Sequence, residues 1–163
     1  TFLKSIESKE LKRVSGTAIY MTSNLNIAPQ SLVHNTKRNK IVHENVLLLT
    51  VNTEDIPVVS PEKRAEIKQF SKGFSQVLIS YGFMEKPNVS AAIKDVFEHQ
   101  LKIPHSDVTY ILGRETILAT NRPGMQLWRE KLFALLSRNA QHATQYYNIP
   151  PEDVIEIGIQ IEL

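Results

Sequence analysis

The run ENVLLLTVN, residues 44–52, is apolar at almost every position between its polar ends. Such a run is typical of a strand that is covered on both faces. Upstream of it, residues 17–22 (TAIYMT) combine β-branched and aromatic side chains and predict another strand. The segment from Pro29 to about residue 39 predicts a helix, because proline is tolerated in the first turn of a helix. Strand, helix and buried strand in this order predict a parallel βαβ unit.

Two further elements are predicted downstream of this unit. Residues 65–70 and 74–81 predict a β-hairpin, since a Lys-Gly pair separates two strand-like runs. The hairpin makes the predicted sheet mixed rather than purely parallel. Residues 88–99 predict a helix, with capping residues at its start and an apolar stripe along one side.

The C-terminal third contains strands on both sides of a long helix. A strand over 108–112 is expected to bend at residues 113–115 and to resume over 116–119. The longest helix is predicted from Pro123, and an alternating strand follows over 154–161. The apolar stripe of the long helix includes Trp128, Leu132 and Leu136. This stripe predicts core packing, with contact to a second copy as the alternative.

Together these elements predict an α/β fold, a single domain with a mixed sheet of about six strands. Two to three flanking helices and the internal β-hairpin complete it. Residues 1–15 alternate charges around a few apolar side chains, and they predict a connector or a short helix that ends at Gly16. The domain proper is predicted over 16–163, with no internal repeat or low-complexity linker.

The composition is that of an ordinary globular domain, with 163 residues, 42% hydrophobic and 22% charged side chains, and no cysteine. The absence of cysteine excludes a disulfide scaffold, a thiolate nucleophile and cysteine-built metal sites. The longest apolar run is much shorter than the about 20 residues that a membrane span needs. Because the sequence also lacks an initiator methionine and a signal-peptide core, we expect a domain that crosses no membrane and comes from a longer protein.

Charge is weak overall but uneven along the chain. The formal net charge is +2, which by itself does not indicate a nucleic-acid partner. Residues 34–43 (HNTKRNKIVH) contain Lys37, Arg38 and Lys40 and no acidic residue. This stretch predicts either a solvated surface or an anion contact, to a phosphate-bearing ligand or to acidic lipid headgroups. It contains no aromatic side chain that could stack on bases, so no nucleic-acid partner is expected.

The sequence contains no recognisable catalytic or metal-binding motif. The five histidines lack metal-ligand spacing, the serines have no nucleophile-elbow context, and neither glycine-rich phosphate-loop pattern occurs. The adjacent Glu54 and Asp55 are expected to stay hydrated rather than to work as a catalytic pair. We therefore predict no catalytic residue, no metal, no cofactor and no enzymatic activity.

An anion could bind at the start of the long predicted helix, where free amide groups and the helix dipole attract negative charge. Arg114, Asn121 and Arg122 lie around this start and are the candidate ligands. The alternative interpretation is that Arg114 pairs with a neighbouring acidic residue and that Arg122 is solvated.

Longer motifs follow one another in a fixed order along nearly the whole chain. They are RVSGTAIYMTS (13–23), LVHN (32–35), LTV (49–51), TEDIP (53–57), YGFMEKP (81–87), LGRET (112–116), RPGM (122–125) and LWRE (127–130). This series resembles KUP-type potassium uptake proteins, in which the RVxGTA segment follows the last transmembrane helix.

The resemblance implies that the chain is the carboxy-terminal cytosolic domain of a bacterial potassium:proton symporter, at the cytoplasmic face of the inner membrane. Residues 1–15 would be the connector from the last transmembrane helix. The absent membrane part would carry potassium and protons, so no transport residue is assigned to this chain. The implied partners are that membrane part, the anionic inner leaflet beside residues 34–43, and a second copy of the domain. The implied role is structural and regulatory, and the alternative is nucleotide sensing at the predicted anion site.

Overall fold

The apolar run lies at the centre of a six-stranded sheet. The structure is a computed structural model that describes residues 11–24, 26–71, 73–104, 107–118 and 147–162. Within these ranges the strands are β1 (Lys12–Met21), β2 (Ile41–Glu54), β3 (Ala65–Gln69), β4 (Phe74–Gly82), β5 (Val108–Leu118) and β6 (Val154–Glu162). The α-helices are α1 (Gln30–Arg38) and α2 (Val89–Val96), and a π-helical turn (Phe97–Leu101) extends α2. The predicted α/β fold with a mixed sheet is confirmed.

The sheet has the strand order β3-β4-β2-β1-β5-β6. All neighbouring strands are parallel except β3, which is antiparallel to β4 at one edge. From β1 the chain proceeds to β2, to the outer strand β3 and back to β4 on one side, and then to β5 and β6 on the other. The order therefore reverses between β1 and β5, which is the arrangement of a doubly wound α/β sheet.

Both faces of the sheet are buried, as the apolar run predicts. On one face Ile19 and Leu47 pack in a cluster with Ile93 of α2. On the other face their neighbours Tyr20 and Val46, together with further side chains, pack with α1. Consecutive side chains of a strand point to opposite faces, so both central strands are covered on both sides.

The local predictions hold for most of the described elements. The βαβ unit is confirmed, because β1 and β2 are parallel and α1 connects them. The hairpin is confirmed as β3 and β4. Gly73 in its turn has a φ of +75°, and an added Cβ would overlap the carbonyl oxygen of Glu44. The helix predicted over 88–99 and the final strand are also confirmed, as α2 with its π-helical turn and as β6.

Two local predictions were wrong. The chain does not bend at residues 113–115, because β5 continues through them and pairs with β6, with Gly113 opposite Ile157. Of the two alternatives for residues 1–15, the short helix ending at Gly16 is wrong, because β1 already begins at Lys12 and pairs with β2, while the connector stays a prediction. Gly16 instead lies in the strand with a φ of +95°, where the pairing register shifts. Strand β1 thus extends to the amino side of the boundary predicted between residues 15 and 16.

Some predictions fall outside the described residues. These are the conformation of residues 1–10 and the long helix predicted from Pro123. The same holds for its stripe residues Trp128, Leu132 and Leu136, with the core or dimer contact predicted for them.

Two consecutive side-chain hydrogen bonds, the first of them buried, join α1 to β1. The Asn35 amide donates to the Tyr20 hydroxyl oxygen at 2.8 Å, and the Asn39 amide donates to the Asn35 side-chain oxygen at 2.7 Å. Tyr20 and Asn35 are both buried, and burial raises the pKa of the Tyr20 phenol. Because buried polar groups need partners, these hydrogen bonds fix the position of the last turn of α1 against the sheet.

A second polar cluster joins the loop after β2 to the turn after β4. The Glu85 carboxylate accepts hydrogen bonds from the backbone N–H groups of Val59 (2.9 Å) and Gly82 (2.7 Å) and from the Arg64 guanidinium (2.6 Å). These three bonds, the two backbone ones first, lower the pKa of Glu85 to about 2. The Arg64 guanidinium also lies over the Tyr81 ring, 4.9 Å from its centroid. One carboxylate thus ties two loops together.

We expect Tyr20→Phe to lower the free energy of unfolding by about 1–3 kcal/mol, because it leaves a buried Asn35 N–H without its acceptor. Chemical denaturation of Tyr20→Phe, Asn35→Ala and the double variant measures this. The double variant should be clearly less destabilised than the sum of the two single variants. Additive effects would mean that the hydroxyl and the amide do not stabilise the domain jointly.

We expect Glu85→Gln to lower the melting temperature at neutral pH, because an amide N–H would replace one carboxylate oxygen that faces only donors. The folded pKa of Glu85 is about 2 and lies below the ordinary value of 4.5. Its contribution to stability is therefore complete above about pH 4.5 and is lost as the pH falls toward 2. Melting temperatures measured across this range should converge for wild type and Glu85→Gln. The exposed Glu62→Gln is the control, and a constant gap between wild type and Glu85→Gln would contradict the assignment.

Candidate functional site

Four cationic residues lie at the edge of the sheet where the parallel strands begin. Lys12 opens β1, Lys40 immediately precedes β2, and the backbone N–H of Lys12 donates to the Lys40 carbonyl at 3.1 Å. Lys37 and Arg38 form the last turn of α1 and lie beside them along the chain. All four side chains are exposed. We call Lys12, Lys37, Arg38 and Lys40 the basic corner.

Local backbone geometry places three of these cations. Helix α1 ends at Arg38, and the N–H of the following residue Asn39 donates to the Asn35 carbonyl at 3.0 Å. Lys40 then takes a left-handed conformation with a φ of +56°, and the chain turns into β2. Cations in the last turn of a helix interact favourably with the negative end of its dipole. The basic residues therefore fit the end of α1 and need no acidic partner there.

The sequence predicts either a solvated surface or an anion contact for Lys37, Arg38 and Lys40, and all three lie at one corner of the structure. Sequence reasoning did not include Lys12, which is far away in the sequence and joins this group only through the pairing of β1 with β2. No ion pair between described residues involves any of the four side chains. The nearby Arg13 donates to the Glu44 carbonyl oxygen at 3.1 Å and is already engaged.

His43 adds little positive charge to the basic corner at neutral pH. Its side chain is partly buried in β2, and burial lowers its pKa below the ordinary value of 6.5. The carboxylate of Asp107 opposes this shift without cancelling it. The charge of the corner therefore comes from its lysines and its arginine.

Acidic side chains lie at the edge where the parallel strands begin, on the side of β5 and β6. Asp107 precedes β5, and Glu152 and Asp153 precede β6. These carboxylates line an open depression of about 280 Å³ together with Val108, Thr109 and Ile155. The edge is thus divided, with cations at β1 and β2 and carboxylates at β5 and β6.

The second predicted anion site is described only in part. Arg114 lies on β5 with its guanidinium 3.5 Å from the Glu156 carboxylate on the neighbouring strand β6. The structure thus shows the alternative interpretation for Arg114, in which it pairs with a neighbouring acidic residue. Asn121 and Arg122 lie outside the described residues, so the site around the three side chains stays a prediction.

A cleft of about 410 Å³ separates the β3–β4 hairpin from α2, and Arg64, Tyr81 and Glu85 line it. The Tyr81 hydroxyl donates to the Asn88 carbonyl at 2.8 Å, and the Asn88 side chain accepts from Ala91 N–H at 3.1 Å and so caps α2. Arg64 and Glu85 in this cleft are already bonded to each other and to the backbone, so we assign them a structural role. Sequence reasoning missed the Arg64–Glu85 pair, because no spacing rule relates two loops that follow different strands.

Neither a metal site nor a membrane-spanning helix is found in the described part of the chain. No group of three or more His, Asp or Glu side chains among the described residues could hold a metal ion. No helix within the same ranges is long and apolar enough to cross a membrane.

Comparison with known proteins identifies the family. Residues 15–163 match the family model described as the K+ potassium transporter C-terminal domain. The "Probable potassium transport system protein Kup 1" of Geobacter sulfurreducens is 44% identical over 100% of this chain and 26% of its own length. The Kup protein of Myxococcus xanthus is 47% identical over 93% of this chain and 23% of its own length. The Kup 2 protein of Chromobacterium violaceum is 43% identical over 99% of this chain and 26% of its own length.

The chain spans about a quarter of the length of these relatives. No solved structure matches it. The match to the family model and the identity to several Kup proteins agree over nearly all of the sequence. The chain therefore belongs to the KUP family of potassium transporters and is the C-terminal domain of such a transporter.

Proposed function

We propose that this chain is the cytosolic C-terminal domain of a potassium:proton symporter in the bacterial inner membrane, with a structural and regulatory role. The membrane part of the transporter, which precedes this chain, carries potassium and protons. We assign no transport residue and no catalytic residue to the domain. It folds beneath the membrane part and adjusts its activity.

One observation carries this proposal, namely the place where the chain enters the sheet. The matched domain is C-terminal, so the remaining three quarters of a Kup protein lie on the amino side of this chain. Strand β1 begins at Lys12, in the basic corner. Residues 1–10 span at most about 35 Å even when fully extended. We therefore infer that the edge with the basic corner is the one nearer to the membrane part.

A nucleotide-sensing role is the second candidate, and the strand order favours it. The order reverses between β1 and β5, and open α/β sheets bind ligands beside the carboxyl ends of the strands at such a point. Arg114 on β5 is the described member of the predicted ligand group. Its ion pair with Glu156 would have to open for it to contact a phosphate.

We expect deletion of residues 16–163 from the full-length transporter to lower potassium uptake per copy about fivefold or more without abolishing it, as for a regulatory coupling. Rubidium uptake by cells without other potassium uptake systems measures this, normalised to transporter content of the membrane. Full-length transporter with the exposed substitution Glu62→Gln is the control. Unchanged uptake per copy would contradict the regulatory role. Complete loss of uptake at normal membrane content would contradict the absence of transport residues.

Proton coupling is tested separately with full-length transporter in vesicles. Potassium entry should acidify the vesicle interior when the protein is a symporter, and potassium entry without proton entry would contradict that part of the proposal.

Calorimetric titration of the domain with a panel of cyclic dinucleotides distinguishes the second candidate from the first. The structural role predicts no saturable heat. Saturable binding that Arg114→Ala weakens about tenfold or more, as expected for a charged contact, would favour nucleotide sensing instead.

A further inference from the structure

The basic corner carries charge that the fold does not use. Lys12, Lys37, Arg38 and Lys40 are exposed, and none of them pairs with a described carboxylate. We infer that the basic corner binds the surface of an anionic phospholipid bilayer. This inference rests on the proposed function, which places this edge of the domain beside the membrane.

The fold holds the four cations together on one edge. Adjacent strands lie about 4.8 Å apart. Lys12 pairs with Ile41, the residue after Lys40, so Lys12 and Lys40 are near neighbours. The hydrogen bonds from Asn35 to Tyr20 and from Asn39 to Asn35 fix the end of α1, and with it the backbone of Lys37 and Arg38. The backbone of the basic corner is therefore ordered before a ligand binds. The entropy cost of binding comes only from ordering the four side chains.

The arrangement of the charges fits a surface better than a single small anion. Lys37 and Arg38 are consecutive in a helix, so their side chains leave the axis about 100° apart. Lys12 and Lys40 extend from the strand ends. These different directions favour contact with several separate headgroups of a bilayer over convergence on one phosphate. The long aliphatic stems of lysine and arginine also suit an interface.

The carboxylates at the other end of the same edge give the contact a direction. Asp107, Glu152 and Asp153 would be repelled by an anionic leaflet. The domain is therefore expected to approach the bilayer with the β1–β2 side nearest and the β5–β6 side farther away. An edge of uniform charge would impose no such tilt.

The expected strength suits a tethered domain. Each Lys or Arg close to an anionic membrane surface strengthens binding about fivefold, and the attraction falls off within about 10 Å at 0.1 M salt. Four such charges give weak binding for a free domain. In the full transporter the connector keeps the corner at high local concentration beside the bilayer, so weak intrinsic binding is sufficient.

Vesicle sedimentation of the 163-residue chain tests the inference. One set of vesicles is phosphatidylcholine alone, and the other also contains phosphatidylglycerol. We expect binding only to the anionic vesicles, weakened strongly by salt. The double variant Lys37→Gln/Arg38→Gln should bind about 25-fold more weakly and Lys12→Gln about fivefold more weakly.

The matched control is Lys63→Gln/Lys86→Gln, which removes two exposed cations at the opposite edge of the sheet. It should reduce binding less than twofold, and melting temperatures check that every variant is folded. Equal binding to both kinds of vesicle, an equal loss in the control, or no binding of wild type would each overturn the inference.

The vesicle experiment and the uptake experiment can fail independently of each other. If the corner contacts loops of the membrane part instead of lipid, vesicle binding fails while deletion of the domain still lowers uptake. That result overturns the lipid contact and leaves the regulatory role standing. Vesicle binding with unchanged uptake would support the lipid contact and contradict the regulatory role.

Discussion

Ile19 and Tyr20 are both fully buried although they are neighbours in one strand, and Val46 and Leu47 repeat this in the adjacent strand. Neighbouring strand side chains point to opposite faces, so this burial requires cover on both sides of the sheet. Crossover helices between parallel strands provide such cover, with α1 on one face and α2 on the other. Two-sided burial of the central strands thus accompanies the parallel arrangement on which the other features depend.

Parallel pairing then decides which polar residues meet. All parallel strands begin at the same edge, so side chains that are distant in sequence come together there. Lys12 and Lys40 flank the start of one strand pair, and Asp107 and Asp153 flank the start of another. The division of this edge into a cationic and an anionic end is a consequence of strand order. It is not visible in the net charge, which is only +2.

Local patterns predicted the elements, while the contacts between them were beyond sequence reasoning. The run 44–52 identified β2 because its apolar pattern is continuous, and the hairpin was identified by a turn whose glycine has a positive φ. The bend predicted at residues 113–115 failed because pairing with β6 overrides the turn tendency of a glycine. The Arg64–Glu85 pair could not be predicted, since it depends on how two loops meet after folding. Lys12 was missed for the same reason.

The two edges of the sheet use their charged groups differently, and this determines what each edge can do. At the carboxyl edge Glu85 accepts three hydrogen bonds, and Arg64 donates both to Glu85 and to the Val59 carbonyl. A ligand that took either group would first have to break bonds that stabilise the loops. At the amino edge Lys37 and Arg38 have no described acidic partner. An external anion can therefore bind there without a loss of internal hydrogen bonds, which makes this edge the better place for an interaction outside the domain.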